Sequence, residues 1–267
     1  MEIPTARWNA VIPRRRSRRR FDSSELASRV LTELEAVCRE FQPFPGARSV
    51  LVTHSADRVL RGVVGSYGKV TGAPAFVAFV GDTSDPRMNE KVGYTGEGII
   101  LEATAMGLDT CWVGGFFRPR VAASLVGVAG DERVMAVTPV GHALASVTAQ
   151  EKAMTGFGRT HRRKSLPELV AGLGRGEWPS WMEPALDAAR LAPSAVNRQP
   201  WRFRVDAQGV TVSVDSPRFA LGISKRLDCG IAMLHLEVAA LARGVHGEWE
   251  LLQPPDVARF TVGCGET

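Results

Sequence analysis

Two stretches of this chain limit its possible folds more than any other feature. Gly96-Glu97-Gly98-Ile99-Ile100-Leu101-Glu102-Ala103 and Gly230-Ile231-Ala232-Met233-Leu234-His235-Leu236-Glu237-Val238-Ala239 both run from glycine through apolar residues to a glutamate in an alanine-rich end. They lie half a chain apart. A helix that is apolar nearly all round has to be buried, and any buried helix can look like this; both halves also share an order of strands around one central helix, so two related halves fused in one chain are expected. The expected division of the 267 residues is a first half at 1–148, a crossover at 149–165 and a second half at 166–267.

Around those helices the local patterns are clear. Asp22 followed by Glu25 resembles a capping box, and Leu26, Val30, Leu31, Leu34 and Val37 recur at helical spacing up to Phe41. Pro43, Pro45 and Gly46 end that run. Ser49–Thr53 and Ala75–Val80 read as strands, the second a continuous apolar run suited to the middle of a sheet. Helices are expected at Ala56–Val64, Glu90–Gly107, Pro119–Leu125, Leu166–Leu173, Pro179–Leu191 and Leu227–Arg243. Arg133–Val140 alternates as a strand. Trp201–Val205 and Val210–Val214 flank Asp206-Ala207-Gln208-Gly209 as a hairpin, and a further strand falls near Glu248–Leu252.

Hydrophobic residues make up 45% of the chain and charged residues 23%, which excludes a disordered, collagen-like or coiled-coil chain. The longest strongly apolar stretch, Gly72–Gly81, is well short of the roughly 20 residues a bilayer span needs. No signal-peptide pattern opens the sequence. A soluble, cytoplasmic protein without a membrane partner is expected. Cys38, Cys111, Cys229 and Cys264 are too scattered for a zinc ribbon and read as buried free thiols. The net charge is +5, yet six of the seven residues Arg14–Arg20 are arginine. Such a block seeks an anion: a cofactor phosphate, a nucleic acid or a membrane surface. Ser17 inside the run favours an ordered phosphate clamp over a nucleic-acid patch.

The usual fingerprints of other enzyme classes are missing from the sequence: no P-loop, no G-x-G-x-x-G after a strand, no H-E-x-x-H, no G-x-S-x-G. What remains is Arg15-Arg16-Ser17-Arg18-Arg19-Arg20-Phe21, fitting R-R-S-x-R-x-F, and Ala192-Pro193-Ser194-Ala195-Val196-Asn197-Arg198-Gln199-Pro200-Trp201, fitting A-P-S-x-x-N-x-Q-P-W. With Gly72-Ala73-Pro74, Gly107-Leu108-Asp109-Thr110-Cys111-Trp112-Val113-Gly114-Gly115-Phe116, Pro139-Val140-Gly141-His142 and Arg162-Arg163-Lys164-Ser165-Leu166, the chain resembles the FMN-dependent nitroreductase family over about residues 12–245. In that family the second motif closely follows the first. Here its usual place holds Phe41-Gln42-Pro43-Phe44-Pro45-Gly46, and the intact motif comes in the second half of the chain. The chain therefore resembles the single-chain, pseudo-dimeric (TM nitroreductase-like) branch, in which one chain supplies both sides of a site that two subunits form elsewhere.

The resemblance implies a nitroreductase-like α+β fold of two related halves with mainly antiparallel sheets, and an oxidoreductase that carries electrons from NAD(P)H through FMN to a small acceptor such as a nitroaromatic or quinone, by a ping-pong mechanism. It implies Arg15, Arg16, Ser17 and Arg19 for the FMN phosphate and ribityl chain, and Pro193, Ser194, Asn197 and Gln199 for flavin contacts. The backbone of Gly114 and Gly115 would lie beside the reactive edge, where an N–H reaches N5. Arg162 and Arg163 are a second phosphate contact or an exposed basic helix start. Arg14, Arg18 and Arg20 are expected to be solvated. No catalytic side chain and no metal ligand are named. A monomer with internal pseudo-symmetry, or a weak homodimer, is expected. A flavin-binding sensor or carrier would share these motifs, and a nucleic-acid-binding protein would use Arg14–Arg20 differently.

Overall fold

In a computed structural model of the protein, residues 1–60, 70–144, 162–216 and 222–263 are described. Residues 149–161 of the crossover expected at 149–165, the far end of the helix expected at Ala56–Val64, and Cys264 lie outside them.

Both sheets share one plan. Strands β1 (Ala47–Val52) and β2 (Ala75–Asp82) precede the long helix α4 (Met88–Ala105), and β3 (Asp109–Thr110) and β4 (Glu132–Gly141) follow it, in the spatial order β1-β2-β4-β3. In the second half β6 (Trp201–Asp206) and β7 (Gly209–Val214) precede the long helix α8 (Lys225–Leu241). Then come β8 (Gly247–Leu251) and β9 (Asp256–Val262), in the order β6-β7-β9-β8. Each sheet thus runs first-second-fourth-third. The short β5 (Val170–Gly172) adds to the edge of β6 in the sheets' one parallel pairing among the described residues. Strand β2 lies between two neighbours and is buried along seven of its eight residues, as its unbroken apolar run requires.

The halves meet where α4 crosses α8. A Cβ on Gly93 would stand 2.1 Å from the Leu227 carbonyl oxygen, and one on Gly230 would stand 2.1 Å from that of Glu90. Each glycine sits three residues beyond the residue that receives the other. The crossing is therefore nearly two-fold symmetric, and the backbones touch only because both positions lack a side chain. Helix α1 (Thr5–Val11) packs on both long helices; its Trp8 indole donates to Glu102 at 2.7 Å.

Some local expectations are corrected. No capping box forms at Asp22 and Glu25: helix α2 is Ser28–Glu40, and Asp22 instead accepts from the Ser24 amide and hydroxyl in a tight turn. Leu166–Leu173 is not one helix. The short α6 (Leu166–Leu169) holds Ser165 and Glu168 as a true capping box, and the chain then turns into β5, drawn into the sheet by pairing with β6. Helices α3 (Ala56–Leu60), α5 (Pro119–Val126) and α7 (Met182–Arg190) fall where their patterns place them. The described thiols, Cys38, Cys111 and Cys229, are buried and free.

Candidate functional site

The arginine segment is neither a helix nor a helix start. It runs extended beside β3, pinned by the Arg18 amide to the Thr110 carbonyl (2.9 Å), by the Thr71 amide to the Arg19 carbonyl (2.9 Å) and by the Leu144 amide to the Arg20 carbonyl (3.0 Å). In an extended strap successive side chains point to opposite sides. Arg15 is buried, and Ser17 and Arg19 line a cavity. On the other side Arg16 folds back on the Pro13 and Arg15 carbonyls (2.7 and 2.8 Å), and Arg18 donates to the Leu144 carbonyl at 2.6 Å rather than standing in solvent. The spacing R-x-S-x-R is thus a period of two.

The cavity is walled from both halves. The first gives Ser17, Arg19, Cys111, Trp112, Val113, Gly114, Gly115 and Phe116, and the second gives Pro193, Ser194, Val196, Ile223, Leu227, Asp228 and Ile231. A Cβ on Gly114 would come within 3.3 Å of Ile223, so the missing side chain keeps this part of the cleft open. Val196 also borders a second, polar cleft lined by Arg162, Arg163, Lys164, Glu168, Asn197 and Gln199. There the two amides bind protein. Asn197 accepts from Arg163 (2.7 Å) and donates to the Arg162 carbonyl (3.0 Å). Gln199 accepts from the Lys164 amide (2.8 Å) and donates to the Arg162 carbonyl (3.0 Å). They fasten residues 162–164 to the motif loop.

The electrostatics converge on one point. Arg163 carries a pKa lowered to about 10, first by burial and then by the like charges of Arg15, Arg16 and Arg190. Guanidinium groups from both halves therefore repel one another across a narrow space. The Nε atoms of Arg15 and Arg163 are buried without a hydrogen-bond partner among the described residues. An anion beside these guanidinium groups would relieve the repulsion.

The family model described as "Putative TM nitroreductase" matches residues 9–240. The chain belongs to this family. A solved structure described as a putative nitroreductase from Thermotoga maritima has a TM-score of 0.65 at 19% identity, covering 96% of this chain and 93% of the other. A nitroreductase family protein from Clostridium difficile 630 has a TM-score of 0.45 at 17% identity over 62% of this chain and 96% of that one. A nitroreductase with bound FMN from Bacteroides fragilis has a TM-score of 0.42 at 16% identity over 53% and 90%. No curated protein matches the sequence.

Three further residues border the candidate site, and motif reading passed over them. Glu97, fully buried on α4, accepts the Trp112 indole N–H at 2.6 Å and meets His235 Nε2 at 2.8 Å, with Arg15 Nε 3.9 Å away. His235 Nδ1 faces the Ala188 carbonyl at 3.1 Å. Both ring nitrogens face acceptors, so a proton lies between His235 and Glu97. Glu97 thereby joins the arginine strap, the turn before Gly114 and the second half's central helix. The third, Asp228, stands in the first turn of α8 against the motif loop.

The mirror position, at the first turn of α4, is closed by side chains. Phe44 packs edge-on against Tyr94 with centroids 5.1 Å apart, and Lys91 reaches the Pro45 carbonyl at 3.3 Å. Arg226 forks onto Glu90 (2.9 and 2.5 Å) and onto the Leu252 and Asp256 carbonyls.

Proposed function

We propose that the protein is an FMN-dependent oxidoreductase, taking electrons from NAD(P)H and passing them to a small acceptor such as a nitroaromatic or quinone in a ping-pong cycle. The observation that carries this reading is the cluster of like charges at Arg15, Arg16 and Arg163, next to a mainly apolar cavity with a glycine wall. That pairing suits a ligand with a phosphate at one end and a flat, largely apolar ring at the other. Membership of the nitroreductase family points the same way.

Bound FMN supplies the two-electron chemistry. The chain's own residues hold and orient it. In this account Arg15, Arg163 and the exposed Arg16 and Arg162 carry the phosphate end, with Ser17 and Arg19 reaching the chain that leads from it. Pro193 and Ser194 form the floor of the cavity. Asn197 and Gln199 keep Arg162–Lys164 in position. Gly114 and Gly115 leave the ring edge accessible to hydride donor and acceptor in turn. Trp112, Val113, Ile223 and Ile231 keep the cavity dry, which strengthens every charge interaction at its rim.

The purified protein is expected to be yellow, to be bleached by NAD(P)H under anaerobic conditions, and to give parallel double-reciprocal lines with a quinone. Intersecting lines, or a bound flavin that NAD(P)H leaves oxidised, would contradict the cycle; the second result would favour a flavin carrier or sensor.

A further inference from the structure

The loop that joins α7 to β6 holds an uncommon backbone. Val196, Asn197 and Gln199 have φ of 50°, 53° and 48°, the left-handed region that non-glycine residues enter at a cost and leave unless something holds them. Within the loop the Asn197 amide donates to the Ser194 carbonyl (3.0 Å) and the Gln199 amide to the Ser194 hydroxyl (2.9 Å). These bonds shape the turn but do not attach it to the body of the protein.

Asp228 provides an attachment. Its side chain is 2% exposed. One oxygen accepts the Ala195 amide at 3.1 Å and the other accepts Arg198 Nε at 2.6 Å. Arg198 also donates to the Ile223 carbonyl at 3.0 Å, just before α8 begins. One carboxylate thus grips the loop at both ends of its left-handed pair, Val196 and Asn197, and ties it to the central helix of its own half. We propose that Asp228 is the positioning residue that locks the 194–199 loop in its site-forming shape, and that its negative charge is what the lock requires. This rests on the flavin reading above, because the loop carries Ser194, Asn197 and Gln199.

The charged group that acts on Asp228 is Arg198 from the loop; Cys229 beside it on the helix is acted on by Asp228, Arg198, Arg226 and Glu90, and Ser17, Arg19 and Cys111 line the same cavity. Burial pushes the carboxyl up to about 6, against the pull of Arg198 and the two hydrogen bonds. Protonation of this carboxyl in mild acid therefore weakens the lock. The sign follows from linkage: a raised folded pKa means that the folded chain takes up this proton more readily than the unfolded one. Acidification then loosens the loop without loss of global stability from this group.

The test is the ratio of FMN dissociation constants for Asp228→Asn and the wild type, measured from pH 8 to pH 5. Titration of the FMN phosphate, itself near 6, affects both proteins and cancels in the ratio. The variant is expected to bind at least about tenfold more weakly at pH 8, from the loss of a charge-assisted bond, and the ratio should shrink to within about twofold at pH 5 as the wild-type carboxylate is protonated. Asp228→Glu should recover part of the affinity at pH 8. A ratio that is near one at pH 8, or constant across the range, overturns the lock. Wild-type protein that binds no FMN overturns the flavin reading instead. The lock is then read without ligand, from exchange of the Ala195 amide: protection lost in Asp228→Asn supports it, and protection kept refutes it.

Discussion

At the scale of single residues, the site is made by placing like charges together and then balancing them. Arg163 is the clearest case, since burial and three neighbouring arginines all oppose its charge. Removing it takes one guanidinium from the proposed phosphate position. Arg163→Gln should weaken FMN binding by roughly 10- to 100-fold, the range of one charge-assisted hydrogen bond, as measured by fluorescence titration; unchanged affinity would place the phosphate elsewhere. Glu97 has the opposite role. It balances Arg15 and completes the bonds of Trp112 and His235 at full burial. Glu97→Ala should cost about 3–5 kcal/mol in urea unfolding, because it leaves buried polar partners uncompensated. The arginine motif and the P-S-x-x-N-x-Q loop were legible as motifs. Glu97, His235 and Asp228 were not, because each gains its meaning from a helix crossing or a strained loop that brings together residues distant in the chain. The sole advance signal for Glu97 and His235 was a charge or imidazole inside an otherwise apolar helical run.

At the scale of elements, the crossing of α4 and α8 sets the width of the cleft, since the first two turns of α8 carry Leu227, Asp228 and Ile231 into its wall. Gly230→Ala puts a Cβ 2.1 Å from the Glu90 carbonyl oxygen, so the helices must move apart. It should lower stability by about 1–3 kcal/mol, the usual cost of overpacking, and weaken FMN binding along with it. Gly176→Ala, which meets nothing within 4 Å, serves as the control and should change neither. Elements with a strong period were readable from sequence: both long helices, the central strand β2 and the β6–β7 hairpin. Others depended on partners that the sequence does not show. Asp22 and Glu25 have capping-box spacing, but the strap before them is held extended by Thr110 and Thr71, and the chain turns at Asp22. The last residues of the helix expected at Leu166–Leu173 are claimed by β6. Helix α1, seven residues long, is too short for its period to stand out, and β9 follows Gln253-Pro254-Pro255, where proline masks an alternating strand.

At the scale of the whole molecule, two halves with one strand order enclose the candidate site, while among the described residues Phe44, Tyr94 and the Arg226–Glu90 pair occupy the mirror position. The internal repeat was legible in the two glycine-to-glutamate helices. The asymmetry was legible in the motif order, where Gln42-Pro43-Phe44-Pro45 stands in place of P-S-x-x-N. The closing of the second cleft by particular side chains was not, because nothing in a sequence shows a carbonyl waiting for Arg226 or Lys91. Phe44→Ala, which truncates a partly buried ring, should destabilise the fold by about 1–3 kcal/mol without creating a second flavin site, since Arg226 is already held by Glu90.

The central claim is one flavin site per chain, built between two unequal halves. The measurement that tests it most directly is the amount of FMN released on denaturation of FMN-saturated protein, compared with protein concentration from amino-acid analysis. The account predicts a ratio of one. A ratio of two would show that the mirror cleft also binds flavin, and a ratio of zero would remove flavin from the account altogether.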